Sequence, residues 1–246
     1  MRTRLSAQAL MARLIMSCGV AVVPLCGDPI VSTGPGGAAP AGDGPGPGQV
    51  LIYSNFGPGG SFNTSVGWTI GPVPNATTNQ AVGDSFTTAT DVRFADAQLA
   101  MFSVGGTSTN VYLETDAAGL PGTILDTLVE QSPIGSPAGI VTFDCQSCPL
   151  LSAGSTYWIV AGDSSVTTAW NWNDVNDMSG NAINENGSIT GPWNFPNPET
   201  RGAFEVDGSV PEPSSITLLA AVVLALSLVL RRKVARPRRQ APSSEG

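Results

Sequence analysis

From residue 49 to residue 208 no stretch of the chain keeps a helical period long enough to fold as a capped helix. Short runs rich in β-branched and aromatic residues alternate instead with turn-forming clusters. The runs are "VLIYSNF" (50–56), "AVGDSFTT" (81–88), "DVRFADAQLAMFSV" (91–104), "TNVYLETD" (109–116), "GTILDTLVE" (122–130), "GIVTFD" (139–144), "TYWIVAGD" (156–163), "VTTAWNWN" (166–173) and "GAFEVDG" (202–208). Between them lie "DAAGLPG", "SPIGSPAG", "LLSAGS" and "NDMSGN". Such clusters supply the positive φ angles and fixed proline φ that turns require. In "TNVYLETD", Val111, Leu113 and Thr115 fall on one face, and Tyr112 and Glu114 on the other. The pattern predicts an all-β domain over 49–208, an antiparallel β-sandwich of jelly-roll-like form.

Charge is distributed by region. Seventeen acids from Asp28 to Asp207 face only Arg93 and Arg201, so the body carries about −15, while both ends are basic. A body so poor in Lys and Arg is not built to neutralise phosphates, and no nucleic-acid partner is expected. Histidine is absent and the one lysine, Lys233, lies near the C-terminus. The body therefore has no histidine-based triad, histidine metal ligand, Schiff-base lysine or P-loop. Carboxylate-pair chemistry stays open; Asp163 with Asp174 would be a pair of that type, though no motif fixes it.

The ends read as addresses. "MRTRLSAQALMAR" followed by "LIMSCGVAVVPLC" has the charged and apolar regions of a secretory signal, assigned to residues 1–27. Leu25 before Cys26 disfavours a lipoprotein, whose signal wants a small residue there. Residues 28–48, including "STGPGGAAPAGDGPGPG", cannot bury a core and are expected to be a disordered spacer.

At the other end, Ile216–Leu230 is apolar apart from Thr217 and Ser227. As a helix it would span roughly 22 Å at about 1.5 Å per residue, a marginal single transmembrane crossing of a hydrocarbon core about 30 Å thick. Arg231, Arg232 and Lys233 would hold its far end in the cytoplasm and leave the body outside. Before the run stand Val210, Pro211, Glu212, Pro213 and Ser214. The two prolines forbid helix there and keep the segment extended. This three-part order closely resembles the PEP-CTERM sorting signal, assigned to 209–235, with 236–246 as a cytoplasmic tail. The resemblance implies an exported protein. It also implies an exosortase-type membrane protease or transpeptidase as partner, a membrane-anchored precursor, and extracellular polysaccharide as the setting. A simple permanent anchor is the competing reading of the same tail.

The body has its own resemblance. "NVYLETDAAGLPGTILDTL", with "YSNFG" before it and "TYWIV" after it, resembles the choice-anchor R type of surface domain. That implies a domain delivered by alternative anchors, with no known reaction.

Three local features remain. Cys145-Gln146-Ser147-Cys148 is a CxxC whose readings are a redox pair, half of a zinc site or a structural disulfide. No second CxxC or histidine completes zinc, and Pro149 in a β context argues against a thioredoxin-like helix; the structural disulfide is favoured. Trp170 and Trp172, two apart on one strand, with Trp193 nearby in sequence, could form a platform for sugar rings or fill the core; the core is favoured. Residues 174–185, "DVNDMSGNAINE", offer Asp, Asn and Glu at positions 1, 3 and 12 of a calcium loop. Met178 and Ser179 stand where an oxygen ligand and a glycine belong, so a solvated turn is favoured. No metal or cofactor is expected. The sequence thus predicts a non-catalytic, exported surface or matrix protein, with a carbohydrate-binding module as the alternative and a carboxylate-dependent glycan-active enzyme behind it.

Overall fold

The computed structural model describes residues 29–31, 45–194 and 199–210. Among these residues there are fourteen strands and no helix. They are β1 (Pro29–Val31), β2 (Val50–Ser54), β3 (Val66–Pro72), β4 (Asn79–Thr87), β5 (Val92–Ser103), β6 (Asn110–Asp116) and β7 (Pro121–Thr127). The second half holds β8 (Val129–Glu130), β9 (Gly139–Asp144), β10 (Leu150–Leu151), β11 (Thr156–Gly162), β12 (Thr168–Asn171), β13 (Asn181–Asn184) and β14 (Phe204–Ser209). All the strand pairs are antiparallel. The signal segment and the apolar run Ile216–Leu230 lie outside the described residues; within them no helix is long and apolar enough to cross a membrane.

One ladder is organised around β5, the longest strand. On one side β5 pairs with β14 and then β12, and on the other with β10 and β9. A second ladder runs β13-β4-β11-β6-β7. The two meet where Gly71 and Pro72 of β3 pair with Gln80 and Asn79 of β4. Inward residues from both ladders form one apolar cluster: Trp68, Phe94, Leu99 and Phe204 from the first join Val82, Leu113, Ile159 and Ile183 from the second. On β6 the alternation holds as expected. Val111 and Leu113 enter this cluster, while Tyr112 packs with Trp158 and Val160 on the opposite face of its ladder.

Four strands depart from the sequence reading. Pro29–Val31 lies inside the expected disordered spacer, yet it pairs with Val66–Trp68 of β3. β3 itself went unread because Gly67, Gly71 and Pro72 dilute its pattern. Gly67 is there for a reason: a Cβ at that position would stand 2.6 Å from the Trp170 carbonyl oxygen on β12. β10 is only two residues long, too short to show a pattern. β13 falls within the expected turn at 174–185, and its Asn-rich sequence hides a fully buried strand against β4.

Candidate functional site at the C-terminal strand

β14 is the last strand before the tail, and it sits inside a sheet, between β2 and β5. The approach to it is fastened by groups from distant parts of the chain. Trp68 Nε1 donates to the Thr200 carbonyl at 2.7 Å, Asn55 Nδ2 to the Gly202 carbonyl at 2.9 Å, and Trp170 Nε1 to the Ala203 carbonyl at 2.9 Å. Phe204 N–H donates to Asn55 Oδ1 at 2.7 Å.

Arg201 is the centre of this fastening. It is buried, with Asp177 Oδ2 at 2.8 Å from its Nη1 and Asp84 Oδ1 at 3.5 Å from its Nε. Its Nη1 also donates to the Tyr53 hydroxyl at 2.8 Å, and its Nη2 to the Ser85 carbonyl. The guanidinium lies 5.2 Å from the ring centres of both Tyr53 and Phe204. Burial pushes the Asp84 carboxyl up, to about 6, against the opposing pull of Arg201, Asn181 and Gly202. Burial also acts to raise Asp177, but the Tyr53 hydroxyl and Arg201 outweigh it and hold that carboxyl below its usual value. The sequence reading missed this cluster; its one signal was a lone arginine in a long acidic stretch.

Beyond Phe204 the outer face of the first ladder carries an unusual row. Leu51, Asp207, Asp96, Asp144 and Val129 are successive register partners across β2, β14, β5, β9 and β8. Like charges directly opposite one another destabilise a sheet. Gln49 donates to Asp96 at 2.7 Å and Gln98 to Asp207 at 3.5 Å, but Asp207 Oδ1 is buried without a partner. Burial, with Asp96 and Glu205 adding to it, pushes Asp207 up to about 7. Burial likewise raises Asp96, with Asp144 and Glu205 contributing. Among the described residues, no group of three or more His, Cys, Asp or Glu is placed to hold a metal ion.

β14 ends at Ser209, the register partner of Arg93, and Val210 follows, 56% exposed. Of the sorting residues, Val210 alone is described. Pro211, Glu212, Pro213, Ser214 and Arg231, Arg232 and Lys233 lie outside the described residues.

The other residues singled out from sequence are scattered over the fold. Cys145 and Cys148 are joined in a disulfide with their Cα atoms 5.0 Å apart. The loop is also held by Asp126, whose Oδ2 accepts the N–H groups of Gln146, Ser147 and Cys148 at 3.0, 2.9 and 3.2 Å. The Trp platform is corrected. Trp170 is fully buried, edge-on to Phe204, so it cannot meet a sugar ring. Trp172 packs 5.5 Å from the buried Trp68, and Trp193 packs on the separate cluster around Trp158. The favoured solvated turn at 174–185 is corrected too: Asp177 is committed to Arg201, and Asn181–Asn184 is a buried strand. Asp163 directly follows β11, whereas Asp174 stands beside Gly57, where an added Cβ would lie 2.4 Å from its Oδ1. Asp163 lines an open groove of about 610 Å³ with Asn79, Ser164, Asn186, Ser188 and Ile189.

The family described as a PEP-CTERM protein-sorting motif matches residues 209–233. No curated protein and no solved structure matches the chain. The matched segment begins at Ser209, the last residue of β14, so sorting signal and folded body abut. The motif marks an exported protein that an exosortase, a membrane enzyme, sorts, with a membrane-anchored form before processing.

Proposed function

We propose that this chain is a non-catalytic surface or matrix protein whose tail is read and removed by an exosortase-type enzyme, releasing the acidic body to the cell exterior. The observation that carries this reading is the sorting motif at 209–233 joined directly to a fastened strand. Processing there separates the body from the basic cluster after Leu230 and leaves a strongly anionic domain, which self-repulsion keeps soluble. In this reading the body is a jelly-roll-like β-sandwich of choice-anchor R type. A core drawn from both ladders supports the two-layer arrangement. Its setting is extracellular polysaccharide.

One observation favours a second reading, direct contact with polysaccharide. The groove at Asp163 is lined by amide, hydroxyl and carboxylate groups of Asn79, Asn186, Ser188 and Asp163, a donor and acceptor set that suits sugar hydroxyls. A glycan array with the exported protein tests it; wild-type binding that survives Asn79→Ala with Asn186→Ala removes this reading. The sorting reading is tested by replacing Pro211, Glu212 and Pro213 with Ala in the producing cell. The full-length form should accumulate in the membrane fraction. Unchanged release of a shortened protein from that variant contradicts it.

A further inference from the structure

The sorting tail leaves the body at an end of the β5 ladder where several apolar side chains are exposed. Leu150 of β10 and Ser209 of β14 are both register partners of Arg93, on either side of β5. Gly208 pairs with Val50 of β2, and Asp207 with Leu51. Around the exit of the chain therefore stand Leu150, Val210 and Leu51, each more than half exposed, together with Val50. Single exposed apolar residues are ordinary. Four of them gathered over adjacent strands at one end are not explained by folding.

The covalent connection says what faces them. From Val210 to Ile216 there are six residue steps, which reach roughly 20 Å when fully extended at about 3.3–3.6 Å each. Pro211 and Pro213 already bias that segment towards extension. Part of the reach is taken up by the headgroup layer, about 5–7 Å on each side of the hydrocarbon core. A folded body on so short a leash presents its exit end to the bilayer. Arg93, at the centre of that end, is exposed, whereas Arg201 is buried; Arg93 is thus the one exposed cation among the described residues, and although its Nη1 donates to the Cys148 carbonyl at 2.9 Å, its charge suits lipid phosphates.

Resting on the reading of Ile216–Leu230 as a membrane segment, we propose that in the full-length precursor the surface formed by Leu150, Arg93, Val210, Val50 and Leu51 docks on the lipid bilayer. The patch is small and the body is anionic, so the contact depends on the tether, which supplies a high effective concentration. Loss of the tail ends it. The sorting step would then release the body from the membrane surface as well as from its anchor.

The test uses full-length precursor reconstituted in phospholipid vesicles without any exosortase. A photo-crosslinking residue is introduced as Leu150→p-benzoylphenylalanine or, as a control, Ser165→p-benzoylphenylalanine. Ser165 is exposed and lies beyond the opposite end of β5, roughly 30 Å away at about 3.3 Å per strand residue. Illumination should add one phospholipid mass to the position-150 variant and none to the position-165 variant. If the precursor resists alkaline extraction, and so is inserted, but position 150 gives no lipid adduct, docking is overturned while the sorting reading stands. Adducts formed only in cells, and only to the exosortase, overturn it in favour of a protein contact. A precursor that alkaline extraction removes entirely overturns the membrane-segment reading itself, and docking with it.

Discussion

Asp84 and Arg201 form an ion pair inside the protein, with Asp84 Oδ1 3.5 Å from Arg201 Nε and both side chains almost wholly removed from solvent. The pair ties the segment before β14 to the middle of β4. Removing one member strands the other in a low-dielectric interior, a loss of about 3–5 kcal/mol in comparable buried pairs. Arg201→Met should therefore lower unfolding stability by about that much, since Asp84 and Asp177 both lose their cation. Adding Asp84→Asn to Arg201→Met should recover part of the loss. Chemical denaturation of the single and double variants checks this; an Arg201→Met protein within about 0.5 kcal/mol of wild type contradicts it.

The pH dependence of stability should run downward from mildly acidic to mildly alkaline conditions. Glu114 is fully buried with neither carboxylate oxygen partnered, and burial pushes it from 4.5 up to about 8. Below 4.5 the folded and unfolded chains both hold its proton, so it contributes no slope. Between 4.5 and about 8 the folded chain keeps a proton that the unfolded chain releases, so stability falls as pH rises. Each pH unit crossed costs about 1.4 kcal/mol. Asp207 acts in the same direction from 3.8 to about 7. Asp177, held low, works the other way, its contribution fading as pH falls through its folded value. Denaturation midpoints should therefore be higher at pH 5 than at pH 8. Glu114→Gln should lessen the slope throughout this range and leave the curve nearly flat between pH 7 and 8, where Asp207 contributes little. An unchanged slope in that window would count against the buried, unpaired state of Glu114.

The Cys145–Cys148 loop has two restraints of unequal weight. A disulfide closing so short a loop stabilises less than the roughly 3 kcal/mol of a 15-residue loop. Asp126 accepts three backbone N–H groups of the same loop, and bonds to a charged acceptor contribute about 1.5–3 kcal/mol each net of the water they replace. Asp126→Ala should thus destabilise the protein more than Cys145→Ser with Cys148→Ser, and the double cysteine variant should still fold. The reverse order in thermal melts would show that the covalent link dominates.

The sequence disclosed strand character where apolar residues alternate cleanly, as along Asn110–Asp116, and concealed it where packing required small or polar residues. Gly67 in β3 is needed because the backbone of β12 approaches closely. Asn181 and Asn184 in β13 look like loop residues, yet Asn181 donates to Asp84 and Asn184 to the Ser188 carbonyl. Trp170 could not be assigned to core or surface from spacing alone, because the alternation of "AWNWND" is the same for either face. The aspartate row was invisible for a related reason. Asp96, Asp144 and Asp207 are far apart in the chain, and only strand register brings them into line. The sorting motif, by contrast, is local, and its order of prolines, apolar run and basic cluster could be read directly.

The central claim is that the tail is read and removed, and intact mass of the exported protein tests it most directly. Protein recovered from the exterior of producing cells that carry an active exosortase should have a C-terminus within or near Val210–Ser214. It should lack the peptide Ile216–Leu230 and the arginines after it. Wild-type protein that stays in the membrane fraction with Arg231, Arg232 and Lys233 intact would show that the tail is a permanent anchor.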